Sequence, residues 1–335
     1  MKHKILLLIP ALFITLTSCG KRDGYVTIDG FAQGTTYHFV LQASDTTGLQ
    51  RSIDSVFSAV DNSMSVYNPT SLINKVNANE TDSVDAYIAA CIEIARRISE
   101  ISDGAYDITI KPITQAIGYA GKEAEESPDI DSLLQYVGYD KIKVRDGRLA
   151  KADPAMQIDL NSVAKGYTSD LMGEMFEKRG VTNYMVEIGG EIFCRGDNPR
   201  GKAWVVGIDR PIDGNMIPGN DLQTRLSISG VGLATSGNYR KYYIDDTGRK
   251  VTHIVNARTG KSGYSDILSA TVIAESCAEA DAAATMLTII GLERAKEILA
   301  SRPDWMAYLV FDDGNGGFAT YVTDNFNKLM ADNRQ

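Results

Sequence analysis

Strand-like and helix-like segments follow one another along this chain without regular alternation, and this order constrains its fold more than any other feature. The first segment, VTIDGFAQGTTYHFVLQA, has the alternation of two strands joined by a turn at residues 33 to 35. Apolar residues then recur at helical spacing over 53–60 and 84–101. Further strand-like segments precede two helical patterns, at 278–291 and 292–301, and a closing pair, MAYLVF and FATYVT. A doubly wound parallel sheet requires strands and helices to alternate, so the sequence predicts an α+β fold.

Length and charge limit the classes of protein to which the chain can belong. A chain of 335 residues is long enough for about two domains or one large one. The most polar break is GKEAEESPDID (121–131), which predicts a surface loop or a subdomain boundary. The net charge is −9 and no basic stripe is present, whereas nucleic-acid binding needs clustered Lys and Arg. We therefore expect no nucleic-acid partner.

The N-terminus has the pattern of an export signal. The basic residues MKHK precede the apolar run ILLLIPALFITL, which is shorter than the roughly 20 residues that cross a bilayer but fits a secretory signal peptide. The run ends in LTSC, which resembles the bacterial lipobox. We predict a lipoprotein signal peptide at 1–18, lipidation of Cys19 and a tether at 19–30. The product would be anchored to a membrane and face the periplasm or the exterior; the alternative is an ordinary signal peptide with a chance cysteine.

The remaining cysteines, Cys91, Cys194 and Cys277, are odd in number and form no CxxC pair. This count makes a disulfide framework or a thiolate metal site improbable. Cys91 and Cys277 lie in helical patterns among Ala and Ile, so we expect them to be buried as small hydrophobic residues.

Four segments combine glycine with polar or charged residues where the apolar periodicity stops. They are GAYDIT (104–109), IDLNSVAKGY (158–167), ATSGNYRKYY (234–243) with HIVNARTG (253–260), and AEADAAAT (278–285). Binding groups concentrate on loops of a rigid scaffold, so the four segments together predict a shared site. The alternative for the second segment alone is a solvated turn with a helix cap.

Asp281 and Thr285 are four residues apart, which places them on one face of a helix. A carboxylate and a hydroxyl are oxygen donors of the kind that suits Mg²⁺. The alternative is an exposed Asp beside a Thr bonded to its own helix. His253 has a pKa range suited to a general base, although a lone His is often structural.

Taken in order, several segments resemble motifs of the ApbE family of FAD:protein FMN transferases. The resemblance runs from about residue 30 to the last helices, and its segments are AQGTTY, MSVYNPTSLINKVN, GAYDITIKPI, IDLNSVAKGYTSD, YMVEIGGEIFCRG, LATSGNYRKYY with HIVNARTG, and SATVIAESCAEADAAATMLTIIG. It implies one flavin transferase domain at 31–330, with a mixed-sheet core, flanking helices and an FAD site between two subdomains.

The resemblance also implies an activity. FAD would be split at its pyrophosphate in a Mg²⁺-dependent reaction, FMN would be joined by a phosphoester bond to a Thr or Ser hydroxyl of a partner protein, and AMP would leave. Acceptors in the family are subunits of Nqr- and Rnf-type membrane redox complexes. Two alternatives are an FAD pyrophosphatase that yields FMN and AMP, and a flavin-binding lipoprotein without turnover.

The roles of individual residues follow from the resemblance by position. The FAD site would be lined by Gln33, Tyr67, Ala105, Tyr106, Asp107, Asp159, Lys165 and Val255. The Mg²⁺ ligands would be Asp281, Thr285 and an oxygen of Ser162, the main-chain carbonyl being preferred. His253 and Asp281 would be the catalytic residues, with His253 as the base that activates the acceptor hydroxyl.

Asp159 would lie at the end of a buried strand, and the charge of Lys165 would suit phosphate. Three departures from the family pattern stand out: Gln33 replaces methionine, Asn161-Ser162 replaces Gly-Gly, and Asn256-Ala257 replaces Asp-Pro.

Overall fold

A computed structural model describes most of the chain: residues 24–119, 124–125, 128–210, 222–237, 242–244, 250–262, 265–315 and 317–331. The strands are β1 (Tyr25–Ala32), β2 (Thr35–Gln42), β3 (Ile142–Arg145), β4 (Arg148–Lys151), β5 (Tyr184–Ile188), β6 (Glu191–Arg195), β7 (Trp204–Asp209), β8 (Leu222–Ile228), β9 (Val231–Gly237), β10 (Tyr242–Ile244), β11 (Lys250–Thr252), β12 (Val255–Asn256), β13 (Lys261–Ser262), β14 (Ile267–Ala274), β15 (Met306–Asp312) and β16 (Phe318–Val322). The helices are α1 (Leu49–Met64), α2 (Leu72–Asn77), α3 (Ala86–Ile101), α4 (Lys111–Ala116), α5 (Ile130–Leu134), α6 (Ala164–Lys178), α7 (Cys277–Ile290), α8 (Leu292–Ser301) and α9 (Asp324–Ala331).

An eight-stranded sheet forms the centre of the molecule, in the order β1-β2-β5-β6-β9-β14-β15-β16. Every pairing between these strands is antiparallel. The α+β class is confirmed, with the refinement that the strand directions of this sheet are antiparallel throughout.

Helices α6 and α7 pack against each other and against the middle strands of the sheet, with α1 beside α6 and α3 beside α7. Adjacent residues of a strand point to opposite faces of its sheet, and Val272 and Ile273 on β14 belong to separate buried clusters. The Val272 cluster includes α3 and α7, whereas the Ile273 cluster includes Trp204 on β7 and Phe326 on α9. The central sheet is therefore covered on both faces, and α7 lies in its main apolar layer.

Several predicted elements are confirmed. The two early strands pair across the Gln33-Gly34 turn, and the closing hairpin is formed by β15 and β16. Helix α3 ends just before Asp103 and Gly104, which both have positive φ (54° and 78°). This backbone conformation stops a helix and favours glycine.

Two predictions about local structure are corrected, and one element was not predicted. Residues 25 to 30 of the predicted tether belong to β1, where they bond to β2 instead of running free. Asp159 does not end a strand, because the chain before it makes only one parallel bridge, between Gln157 and Ile110. The sequence reading also missed the β3–β4 hairpin, whose strands have four residues each, too few to show a clear period.

The predicted break at 121–131 falls partly outside the described residues, and the predicted signal peptide and Cys19 lie wholly outside them. Within the described part of the chain, no helix has the length and hydropathy needed to cross a membrane. Cys91, Cys194 and Cys277 are free thiols and fully buried, and for Cys91 and Cys277 this burial was predicted.

Candidate functional site

Two glycines let the start of α7 approach its neighbours closely. A Cβ atom at Gly166, in the first turn of α6, would lie 2.3 Å from the Cys277 carbonyl oxygen. A Cβ atom at Gly232 on β9 would lie 2.2 Å from the Cys277 backbone nitrogen. Both distances are far below van der Waals contact, so only glycine allows the first turn of α7 to lie between α6 and β9.

The first turn of α7 is held by two side chains. The amides of a helix's first turn have no partners inside the helix. Asp170 on α6 accepts hydrogen bonds from Cys277 N (2.8 Å) and Ala278 N (2.9 Å), and the Ser276 hydroxyl accepts one from Glu279 N (3.2 Å). Burial raises the pKa of Asp170 to about 7, against the lowering effect of its two backbone bonds. We did not assign Asp170 a role from the sequence, although it ends the AKGYTSD segment.

Asp281 lies one turn further along α7 and joins it to α6. Its side chain is buried, and its Oδ2 accepts a hydrogen bond from Gly166 N at 3.0 Å. Gly166 is the third residue of α6, where an amide has no partner inside the helix, so the Asp281 carboxylate supplies the missing acceptor. Burial raises the pKa of the Asp281 carboxyl, and the positive charge of Lys165 opposes that shift.

The other two predicted metal ligands lie beside Asp281. The Ser162 hydroxyl hydrogen-bonds with the buried Tyr106 hydroxyl at 2.9 Å. Burial raises the pKa of Tyr106, and the nearby charge of Asp281 raises it further. Thr285, one turn after Asp281, donates to the Ser236 hydroxyl on β9 at 3.4 Å.

The predicted donors are one carboxylate, one hydroxyl and one carbonyl, all oxygen. A buried carboxylate that burial disfavours in its charged form, with further oxygen donors beside it, fits Mg²⁺, which takes oxygen ligands and keeps positions for phosphate and water.

Lys165 forms an ion pair with a buried glutamate, which the sequence analysis missed. Its Nζ contacts Oε1 of Glu191, the first residue of β6, which is only 3% exposed. Burial lowers the pKa of Lys165, but the charges of Glu191 and Asp281 outweigh it and leave the pKa above its usual value. Burial raises the pKa of Glu191. The sequence signal that could have identified Glu191 is an acid directly after Gly189-Gly190, at the start of an apolar strand.

Ala105 and Asp107 connect two of the predicted site segments. The Asp107 carboxylate accepts bonds from Thr109 N (2.8 Å), Thr109 Oγ1 (2.7 Å) and Tyr139 N (2.5 Å), which fix the loop around it. The Ala105 carbonyl accepts a bond from Ala257 N at 2.9 Å. The GAYDIT loop is therefore bonded to the HIVNARTG segment.

Asp159 and Tyr67 lie on the other side of this loop. The Asp159 amide donates to the Ile108 carbonyl (2.8 Å), and its Oδ1 accepts a bond from Asn161 N (2.9 Å). Burial raises the pKa of Asp159, and the charge of Lys111 opposes the shift. Tyr67 is 70% exposed and interacts with the Asn161 side chain. Asn161, one of the departures from the family pattern, thus contacts two predicted FAD-site residues.

Gln33 places the β1–β2 turn against α6. It has a positive φ of 52°, and its Nε2 donates to Thr168 Oγ1 at 2.9 Å. Its Oε1 is buried and has no hydrogen-bond partner among the described residues, and the same holds for Oε2 of Glu191. Buried acceptors are normally satisfied, so these two oxygens indicate places where a donor from a ligand or a water can enter.

His253 and Val255 belong to the segment at the edge of the site. His253 is exposed between β11 and β12, and its ring centroid lies 6.0 Å from that of Tyr119. Val255 is buried in β12, which packs against α7. The described structure therefore brings the HIVNARTG segment to the helix that carries Asp281.

Comparison with known proteins points to one family. The model of the ApbE family matches residues 33–310. The chain is 30% identical over 336 residues to an FAD:protein FMN transferase of Haemophilus influenzae, covering 95% of each chain. It is 29% identical over 318 residues to an FAD:protein FMN transferase of Escherichia coli, covering 91% of this chain and 89% of the relative.

Solved structures give the same result. The flavin transferase ApbE from Vibrio cholerae superposes with a TM-score of 0.81 at 26% identity, covering 92% of this chain and all of that one. The apo form of the flavinyl transferase ApbE from Pseudomonas stutzeri also gives 0.81, at 28% identity, covering 92% and 97%. With a family match over most of its length and the same fold as these enzymes, the chain belongs to the ApbE family.

Proposed function

We propose that this protein is an FAD:protein FMN transferase that depends on Mg²⁺. It would transfer FMN from FAD to a Thr or Ser hydroxyl of a partner redox protein and release AMP. The observation that carries the proposal is the buried junction of α6 and α7, where Asp281 is bonded to Gly166 and faces the charge of Lys165. Family membership supports the same reaction class.

Asp281, Thr285 and the Ser162 carbonyl would hold Mg²⁺, and when bound the ion would supply positive charge opposite the pyrophosphate. The chain's own residues then have separate tasks. Lys165 presents an ammonium to the ligand, and the loop around Asp107 is ordered by its three hydrogen bonds before any ligand arrives. Such preorganised groups lower the barrier because they need not reorient during the reaction.

His253 would take the proton of the acceptor hydroxyl as that oxygen attacks the FMN phosphorus. A P–O bond to FMN forms, the pyrophosphate P–O bond breaks, and AMP leaves with the electron pair of that bond. The imidazole suits this task because its pKa is near neutrality. His253 is exposed, as a residue that meets a second protein must be.

The acceptor would be an exported protein, with subunits of Nqr- and Rnf-type redox complexes as candidates. A signal peptide at 1–18 and a lipid on Cys19 would anchor the enzyme to a membrane, facing the periplasm or the exterior. The apolar run and the LTSC sequence support this placement.

The decisive experiment incubates the full chain with FAD, Mg²⁺ and a candidate acceptor domain. A flavin-fluorescent acceptor band after denaturing electrophoresis is expected, together with AMP. AMP without a labelled acceptor would instead identify an FAD pyrophosphatase, and bound FAD without AMP would identify a flavin-binding protein.

Asp281→Ala should abolish Mg²⁺-dependent turnover, because it removes the single carboxylate of the predicted ligand set. Glu293→Ala is the matched control, since this exposed helical acid forms an ion pair with Lys296 across one turn of α8. Unchanged turnover in Asp281→Ala would remove Asp281 from the site.

His253→Ala should slow transfer more than it weakens FAD binding, and the opposite pattern would make His253 a binding residue.

A further inference from the structure

The two side chains of the Lys165–Glu191 pair differ in their exposure to solvent. The Lys165 side chain is 34% exposed, whereas that of Glu191 is 4% exposed. An ammonium group has three N–H donors, and contact with one carboxylate oxygen uses one of them. The lysine therefore faces the accessible side with donors left for a ligand, and the glutamate lies behind it.

A purely structural role does not explain why the glutamate is buried. Taking a carboxylate out of water costs free energy that a single ion pair offsets only in part, so a buried pair is weak evidence for stability. The backbone of Glu191 is already fixed, because its carbonyl accepts a bond from Ser169 on α6 (3.3 Å) and its strand pairs with β5. Its Oε2 has no hydrogen-bond partner among the described residues. A carboxylate kept only for folding would be expected to have both oxygens satisfied.

The charged and titratable groups around Lys165 come from two other elements. Glu191 reaches it from β6, and Asp281 and Cys277 act on it from α7. Asp281 is bonded to Gly166 and belongs to the predicted metal ligands. Glu191 is the acid whose oxygen touches the Lys165 ammonium, so it sets the position of that group.

We infer that Glu191 is a positioning residue for the ligand. It holds the Lys165 ammonium so that the remaining N–H donors meet an anionic or carbonyl oxygen of the bound dinucleotide. The identity of the ligand as FAD rests on the proposed function. The positioning itself rests on the contact, the burial and the unpartnered oxygen.

A double-mutant cycle on FAD affinity tests this inference. Binding is measured on the full chain by quenching of FAD fluorescence in EDTA, for the wild type, Glu191→Gln, Lys165→Met and the double variant. Each single variant should bind FAD about ten-fold more weakly, the effect of one hydrogen bond to a charged group. The double variant should bind no more weakly than Lys165→Met, because Glu191 acts only through Lys165.

Glu187→Gln is the matched control. This acid lies on β5, four residues earlier, and accepts a bond from Gly190 N at 3.0 Å, which a glutamine oxygen can also accept. Its FAD affinity should stay within about two-fold of the wild type, since a neutral acceptor replaces an acceptor. A loss equal to that of Glu191→Gln would overturn the inference, because it would show that any change at this turn weakens binding.

Further results decide the case. Wild-type affinity in Glu191→Gln, or losses that add in the double variant, would overturn the positioning role. No FAD binding by the wild type, either in EDTA or after Mg²⁺ is added in excess, would refute the proposed function instead. If Glu191→Gln does not fold, as judged by circular dichroism, the cycle is run with Glu191→Asp. That variant keeps the charge but is one methylene shorter, and unchanged FAD affinity in it would overturn the inference.

Discussion

Gly166→Ala tests the close packing of α6 on α7, on which the site depends. The added Cβ would meet three backbone atoms: the Cys277 oxygen at 2.3 Å, the Cys277 carbonyl carbon at 2.7 Å and the Ala278 Cα at 2.8 Å. Carbon contacts are favourable only beyond about 3.5 Å, so the two helices would have to separate by about 1 Å. No side chain can rotate away to relieve the contact, since all three atoms belong to the main chain.

Two effects of opposite sign determine the change in stability. Alanine is preferred to glycine inside a helix by about 1 kcal/mol. Overpacking lowers stability by about 1–3 kcal/mol. Separating the helices also weakens the hydrogen bond from Gly166 N to Asp281, and leaving a buried acceptor without its donor costs about 1–3 kcal/mol. The costs outweigh the gain, and we expect the free energy of unfolding to fall by about 2 kcal/mol.

Gly173→Ala is the matched control on the same helix. Its Cβ would meet Phe193 Cδ1 at 2.8 Å and Tyr184 Oη at 3.0 Å, which are both side-chain atoms and not main-chain atoms. It has the same gain in helix propensity, so its free energy of unfolding should stay within about 1 kcal/mol of the wild type.

Urea denaturation of both variants, followed by circular dichroism, measures the difference. The rise in melting temperature on adding Mg²⁺ provides a second reading, and it should be smaller in Gly166→Ala because Asp281 is displaced. The packing argument would be refuted if Gly166→Ala were as stable as the wild type, or if Gly173→Ala lost more free energy of unfolding than Gly166→Ala.

Two other predictions concern buried polar groups. Asn77→Ala should lower the free energy of unfolding by about 2–3 kcal/mol, because the buried Asn77 side chain accepts a bond from Ile158 N (2.7 Å) and donates one to Ile158 O (2.9 Å). Urea denaturation measures the loss, with Asn62→Ala, at an exposed position of α1, as the control. Asp170→Asn should flatten the dependence of stability on pH. The pKa of Asp170 is about 7 in the folded state and about 3.9 in the unfolded state. As the pH falls from 7 to 4, the folded state therefore binds the proton before the unfolded state does. The contribution of Asp170 to stability rises over this range, by at most about 1.4 kcal/mol per pH unit. Melting in EDTA from pH 4 to 7 should show a weaker trend in the variant, and identical trends would contradict the assignment.

Local patterns were sufficient to predict most elements. The helices α1, α3, α7 and α8 and the hairpins β1–β2, β5–β6 and β15–β16 were all predicted, because a repeated apolar spacing over five or more residues reports directly on local geometry. Short elements could not be predicted in this way, because so few residues show no apolar period. Asp159 was expected at the end of a strand, but it follows a single bridge between Gln157 and Ile110.

The candidate site was predicted in part. The ordered segments identified Asp281, Ser162 and Lys165, and the structure places all three at the α6–α7 junction. Two partners were missed. Asp170 acts on the amides of Cys277 and Ala278, and Glu191 acts on Lys165; in each pair the residues are more than 20 positions apart in the chain.

The sequence by itself determined the elements, the family resemblance and the residue types of the site, because these depend on spacing along a few turns or strands. Only the tertiary structure decided that the Gly166 amide meets Asp281 and that Glu191 lies behind Lys165. Such pairings depend on which strand neighbours which helix in an antiparallel sheet, and on the absence of a Cβ where two backbones approach within van der Waals distance. Neither property is encoded in a local period, since both arise from contacts between distant segments when the core is packed.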